Sequence, residues 1–206
     1  MLLSMAISQA EEVLAFWFGE QRNDAAWLAE RNALWFGGKP ETDASIRERF
    51  ASLTQAAREG KLDAWAQEPR GLLALVILLD QFSRSLFRGT PEAFAQDAKA
   101  RALVHRAHGQ GWAEGYTPLE RIFLAMPLMH SEAIDEQEQC VVLFQELEAA
   151  ASEGPIADTV RSSLDYARRH LVIIERFGRF PHRNDTLGRK STPAEVEFLK
   201  QPGSRF

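Results

Sequence analysis

The sequence predicts an all-α domain, and three observations carry that expectation. Strand signals are nearly absent, because no stretch sustains an alternation of apolar and polar residues. Helix signals recur instead: Ser, Thr or Asp stands ahead of apolar runs at helical spacing, and glycines follow those runs. The longest purely apolar run, residues 72–79 (LLALVILL), follows Pro69 and has no polar face, as expected of a helix surrounded by others.

Taken in order, Ser8 and Glu11 read as a capping box before "VLAFWF", with Gly19 closing that helix. Residues 1–6 read as a loose tail, with Met5 an alternative start. Asp24 opens a second helix that reaches Phe36 and ends at Gly37-Gly38. A third is predicted from Thr42 or Asp43, with Ile46, Phe50, Leu53 and Ala57 on one face and a stop at Gly60. Pro69 opens the fourth, "RGLLALVILLDQFSRSLF". The pairs Thr90-Pro91, Thr117-Pro118 and Thr192-Pro193 each place a capping hydroxyl before a proline, whose missing N–H is harmless at the first helical position. Glu195 completes a capping box with Thr192, and Asp135 with Glu138 reads as another. The helix from Ile156 to Phe177 turns Leu164, Leu171, Ile174 and Phe177 inward, and Gly178 ends it. The expectation is a single domain over residues 1–206, with roughly nine or ten helices joined by short loops. Antiparallel pairs could stack around the buried helix as a repeat-like array, although no sequence period is readable.

Hydrophobic residues make up 45% and charged residues 26%, ordinary values for a globular chain. The net charge of -5 argues against a general nucleic-acid or membrane-surface binder, since both need a basic face. A single cysteine, Cys140, excludes an intramolecular disulfide and a Cys-rich zinc site, and its apolar setting reads as a buried thiol. The N-terminal stretch lacks the basic region and apolar length of a signal peptide, and no run is long enough to cross a bilayer. A cytoplasmic location is expected.

Three segments hold the candidate chemistry. After the dry run ending at Leu79 come Asp80, Gln81, Arg84, Ser85 and Arg88. Residues 81, 84, 85 and 88 share a helical face, and Asp80 precedes Arg84 by one turn. An Asp80–Arg84 pair accounts for part of this pattern; a polar stripe delivered into a cleft accounts for the rest. In "PLMHSEAIDEQE", Pro127 should kink or break its helix and leave His130 and Glu132 on a turn. With no second histidine one turn on, this is a poor metal motif, and no metal or cofactor is expected. His170 lies on the face of Ile174 and Phe177, where a hydrogen-bonded core histidine is the plainer reading. The segment "RFGRFPHRND" then carries Arg179, His182, Arg183 and Asn184 in non-helical backbone. Solvated surface charge is the bland account. Against it, Phe177, Phe180 and Pro181 should anchor the segment to the core and restrict where its arginines point. The guanidinium fork suits carboxylate and phosphate oxygens.

These segments, "LLDQFSRSLFRGTPEAFAQDAKA", "RIFLAMPLMHSEAIDEQEQCV", "YARRH" and "ERFGRFPHRNDTLGRKSTPAEVEFL", resemble the bacterial family catalogued as domain of unknown function 924. "VLAFWFGE" and "AREGKLDAW" resemble it as well, so the likeness spans nearly the whole chain. The resemblance implies an all-α, tetratricopeptide-like fold and no established activity. Ser83 stands where that family usually has proline, and Ser85 where it has asparagine, which weakens a role for position 85.

The function expected is binding of an anionic small molecule, with or without catalysis. Asp80, Gln81, Arg84, Arg88, Glu132, Arg179, Arg183 and Asn184 would build the binding site. His130, His170 or His182 would move protons. The alternative from another class is a tetratricopeptide-like interaction module that clamps an acidic or carboxylate-terminated peptide. A third reading makes the same residues a structural ion-pair network. Whether the segments meet in space, and in what oligomeric state, is not legible from sequence.

Overall fold

The computed structural model describes residues 2–205, with side chains described from residue 9 onward. Ten α-helical segments and no strands occur among the described residues. They are α1 (Leu2–Phe18), α2 (Ala25–Phe36), α3 (Pro40–Arg58), α4 (Pro69–Val76), α5 (Ser83–Leu86), α6 (Asp97–Gly109), α7 (Pro118–Met129), α8 (Ile134–Ala150), α9 (Pro155–Phe177) and α10 (Pro193–Phe198). A π-helical turn, Ile77–Phe82, joins α4 directly to α5. Among the described residues, no helix is long and apolar enough to cross a membrane.

Several helix starts follow the sequence signals and others do not. Asp24 caps α2 by accepting from the Trp27 N–H at 2.9 Å. Thr192 with Glu195 forms the expected capping box, and Thr117 forms one with Glu120, a partner the pattern had not singled out. The others are corrections. Met1 lies outside the described residues, while α1 is already helical from Leu2, so Ser8 falls inside it and starts nothing. Pro40 starts α3 ahead of Thr42, its preset φ serving the first turn. The Thr90 hydroxyl donates back to the Phe87 carbonyl at 2.8 Å and caps no helix; only a short 3₁₀ turn, Pro91–Ala93, follows. α8 begins at Ile134 with Ala133 as its cap, so Asp135 sits in the first turn, where a carboxylate meets the positive helix end. α7 passes through Pro127 and stops two residues later, soon after the proline has removed the bond to the Phe123 carbonyl.

Every side chain from Leu72 to Leu79 has no solvent exposure. α1, α6 and α7 pack on α4, and α3 packs on the π-helical turn. Edge-to-face aromatic contacts tie these elements together, with Trp17 5.5 Å from Phe82 and 5.4 Å from Phe123 between ring centroids. Each large side chain so buried contributes about 1.5–3 kcal/mol. Gly71 lets the 3₁₀ turn Asp63–Gln67 lie directly on α4, because a Cβ there would stand 2.4 Å from the Trp65 carbonyl oxygen.

α9 is the longest helix and buries Leu164, His170, Ile173 and Ile174, whereas Leu171 and Phe177 are only partly covered. Gly178 ends it in the left-handed region, at φ 65°. The chain then folds back, and Phe180 packs with Ile173, Ile174, Phe177 and Phe198 in a small separate apolar cluster. That cluster fixes the arginine-rich segment to the body of the molecule, as the aromatic pattern predicted.

Candidate functional site

The site begins at a break in helical register. The π-helical turn holds one residue more per turn than an α-helix, and such bulges recur at functional sites. It contains Asp80, a carboxylate with no solvent exposure at the end of the driest segment of the chain. An isolated buried carboxylate is strongly disfavoured, so its partners matter. Asp80 Oδ1 accepts from His130 Nδ1 at 2.8 Å and lies 3.0 Å from Arg84 Nη1. Asp80 Oδ2 accepts from Gln81 Nε2 at 2.6 Å. Burial alone would raise its pKa; Arg84 and His130 outweigh that and hold it well below the usual carboxylate range. Asp80 is therefore ionised.

His130 is the C-terminal cap of α7, on the turn the sequence predicted. An ionised Asp80 requires Nδ1 to carry the ring proton, which leaves Nε2 as the basic nitrogen. Burial, then Arg84, push the imidazole pKa down against the pull of Asp80, so the ring is neutral at physiological pH. Gln137 braces this turn. Fully buried, it donates from Nε2 to the carbonyls of Met129 and Ser131 at 2.6 and 2.7 Å.

His130 opens onto a cleft of about 400 Å³. One wall is Phe94, ahead of α6, and Asp97 at its start, with Arg101 one turn on; another is His130 to Ala133; Arg183 and Leu187 close it from the segment after α9. Asp97 is held by Arg84 through a two-pronged contact, Nη1 to Oδ1 at 3.0 Å and Nη2 to Oδ2 at 3.1 Å. Arg189 holds Glu132 in the same way at 2.6 and 2.9 Å, and Glu132 also accepts from the Phe180 N–H at 2.8 Å. Those contacts keep the Glu132 pKa below its ordinary value despite the opposing effect of burial.

Arg183 is the exception to this pairing. It is 6% exposed, yet its nearest carboxylate oxygen, Asp97 Oδ2, is 3.7 Å away. Its Nε is buried without a hydrogen-bond partner. The Phe94 and Phe180 rings pack against the guanidinium at 4.8 and 4.5 Å. Burial, then repulsion from Arg84, lowers its pKa to about 10, so it remains cationic at neutral pH.

The structure thus brings Asp80, Gln81, Arg84, His130, Glu132 and Arg183 into one neighbourhood. It places the remaining candidates differently. Arg88 is exposed and grips Asp43 of α3 at 3.0 and 3.1 Å. Arg179 pairs with Glu195 at 2.6 and 2.8 Å, pinning the segment to α10. Asn184 has no exposure and ties the loop internally through Ser191 and Arg189. His170 bonds the Tyr166 carbonyl at 2.8 Å within α9, the plainer reading of that residue, and burial lowers its pKa to about 3. His182 packs on Phe180 and is pushed to about 4 by burial and Arg183. Neither histidine is among the residues lining the cleft. Nor do the described residues include a cluster of three or more His, Cys, Asp or Glu side chains suited to a metal ion.

Sequence reasoning missed Asp97, Arg101 and Arg189. Asp97 is thirteen positions from the arginine it binds and Arg189 is 57 from its glutamate, separations that no local pattern encodes.

Fold and site together define an all-helical protein with a buried Asp–His pair behind an arginine-bearing cleft. The family model described as bacterial protein of unknown function (DUF924) matches residues 13–203, and the chain belongs to that family. It is also similar to the solved structure of a protein of unknown function from Agrobacterium tumefaciens. The two share 32% identity and a TM-score of 0.78, over 94% of this chain and 97% of the other. Comparison with curated proteins finds no match.

Proposed function

We propose that the protein binds an anionic small molecule in the cleft beside His130, with Arg183 as its anchor, and that His130 moves a proton on the bound molecule. The observation that carries this reading is Arg183, a buried guanidinium at a cleft wall with an unmatched N–H. A buried cation is costly to keep unless something compensates it. The other arginines around the cleft have close carboxylate partners; an anionic ligand would supply one here.

The His130–Asp80 pair supplies the chemistry. Asp80 fixes the ring tautomer and would stabilise the imidazolium if Nε2 took a proton, which is how a carboxylate supports a general base. The cleft volume suits a small molecule. The tetratricopeptide-like arrangement belongs to the same reading, supported by α7, α8 and α9 packing in chain order through short turns. So does a cytoplasmic location, consistent with Cys140 as a buried free thiol.

Thermal-shift titration of the wild-type protein with small carboxylates, phosphate esters and acidic peptides tests the proposal. Stabilisation by small anions is expected. If none of them raises the melting temperature, the anion site is wrong; if only the peptides do, the peptide-clamp alternative takes its place.

A further inference from the structure

We infer that the ligand of the cleft is a monocarboxylate with an apolar body, and not a phosphate ester. The inference deepens the anion-binding reading and rests on it. It follows from the charges that face the cleft, taken in pairs. Asp97 is gripped by Arg84 and Glu132 by Arg189, each through both carboxylate oxygens. Arg101 Nε lies 2.7 Å from Glu136 Oε2. Arg183 is left, 3.7 Å from an Asp97 oxygen that Arg84 Nη2 already holds. Asp80 shares Arg84 with Asp97, so the charges balance in number, and what Arg183 lacks is a carboxylate within hydrogen-bonding distance.

A carboxylate supplies one charge in a planar edge that matches a guanidinium. A phosphate monoester carries about -1.5 to -2 at neutral pH. Its second charge would face Asp97 and Glu132, both of which line the cleft, in a partly buried setting where water screens poorly. No further unpaired cation stands among the lining residues to offset it. The same carboxylates that brace the arginines thus select against a dianion, a repulsive element of the kind specificity requires.

The body of the ligand follows from the remaining walls. Pro91, Phe94, Ala95 and Leu187 line the cleft, and its volume of about 400 Å³ far exceeds a lone carboxylate group. An apolar ring or branched chain would cover those side chains and exclude water from the Arg183 contact. The Ser131 hydroxyl does not compete for the ligand, because it donates to Glu136 and accepts from the Ala133 N–H.

Calorimetric titration with four probes tests each part: benzoate and phenyl phosphate share a ring and differ in head group, while acetate and inorganic phosphate lack the body. Benzoate is expected to bind about tenfold or more tightly than phenyl phosphate and than acetate, and Arg183→Lys to weaken benzoate by a similar factor. Phenyl phosphate binding as tightly as benzoate would overturn the carboxylate assignment and leave the anion site standing. Acetate matching benzoate would overturn the apolar body. Silence from all four probes would remove the anion-binding reading and this inference with it.

Discussion

His130 Nδ1 stands 2.8 Å from Asp80 Oδ1, and 50 positions of chain separate the two residues. The π-helical turn and the α7–α8 turn meet at this bond. It gives the carboxylate two tasks: it compensates Arg84 and sets the tautomer of His130. Asp80→Asn removes the charge at nearly constant volume. Stability should fall by about 3–5 kcal/mol, because Arg84 and His130 are left with a broken buried pair. The ¹⁵N shifts of the His130 ring should also move away from the Nδ1–H tautomer, since an asparagine can present an N–H to Nδ1. A purely structural ion pair would lower stability and leave the tautomer unchanged.

Leu75 has no exposure and sits in α4, the helix on which α1, α6 and α7 pack. Leu75→Ala should cost about 2–5 kcal/mol, the range for truncating a fully buried leucine whose surroundings relax only in part. Denaturant midpoints at an unchanged m-value are the measurement. A loss under 1 kcal/mol, against that range, would mean that the core is centred elsewhere.

The burial of residues 72–79 was legible because eight successive apolar residues leave a helix no solvent face. The anchoring of the post-α9 segment was legible because Phe177, Phe180 and Pro181 punctuate it. The π-helical turn was not. It shifts register without changing the apolar pattern, and Ser83, whose hydroxyl reaches the Leu78 carbonyl five residues back, is an unremarkable helix residue in sequence. Arg84 and Arg183 looked equivalent for the same reason. What separates them is whether a carboxylate faces the fork, and Asp97 is local in sequence to neither.

The buried histidines set an acid limit. Burial lowers the pKa of His170 to about 3 and that of His182 to about 4, against about 6.5 for an unfolded histidine. Below about 6.5 the unfolded chain takes up protons that the folded chain refuses, so stability is full above that pH and declines as pH falls towards 4 and then 3. His130, shifted the same way, adds to the decline. Melting temperature followed from pH 8 downward should begin to drop near 6.5, before carboxylates titrate. His182→Gln should make that early slope shallower. A flat profile between 6.5 and 5 would show the histidines to be solvated in the native state.

Arg84 and Arg183 should respond to lysine in opposite ways. Arg84 uses its fork on Asp97 and touches the Asp80 carboxylate, so it joins α5, the π-helical turn and α6. Lysine keeps the charge but cannot make both bonds to Asp97. Arg84→Lys should therefore cost about 1.5–3 kcal/mol of stability, the worth of a charged hydrogen bond. Arg183 has no close carboxylate, and a lysine there keeps the cation beside Phe94 and Phe180. Arg183→Lys should leave the unliganded melting temperature within a few degrees of wild type. Stabilisation by ligand follows RT ln(1 + [L]/Kd), so a tenfold loss in affinity nearly abolishes the shift at modest excess of ligand. The measurement is one pair of melting curves per variant, with and without a binding carboxylate. Arg84→Lys should melt early and still respond; Arg183→Lys should melt normally and respond little. The reverse pattern would make Arg84 the anchor and Arg183 a strut, since only an arginine whose fork faces the cleft can lose the ligand without loosening the fold.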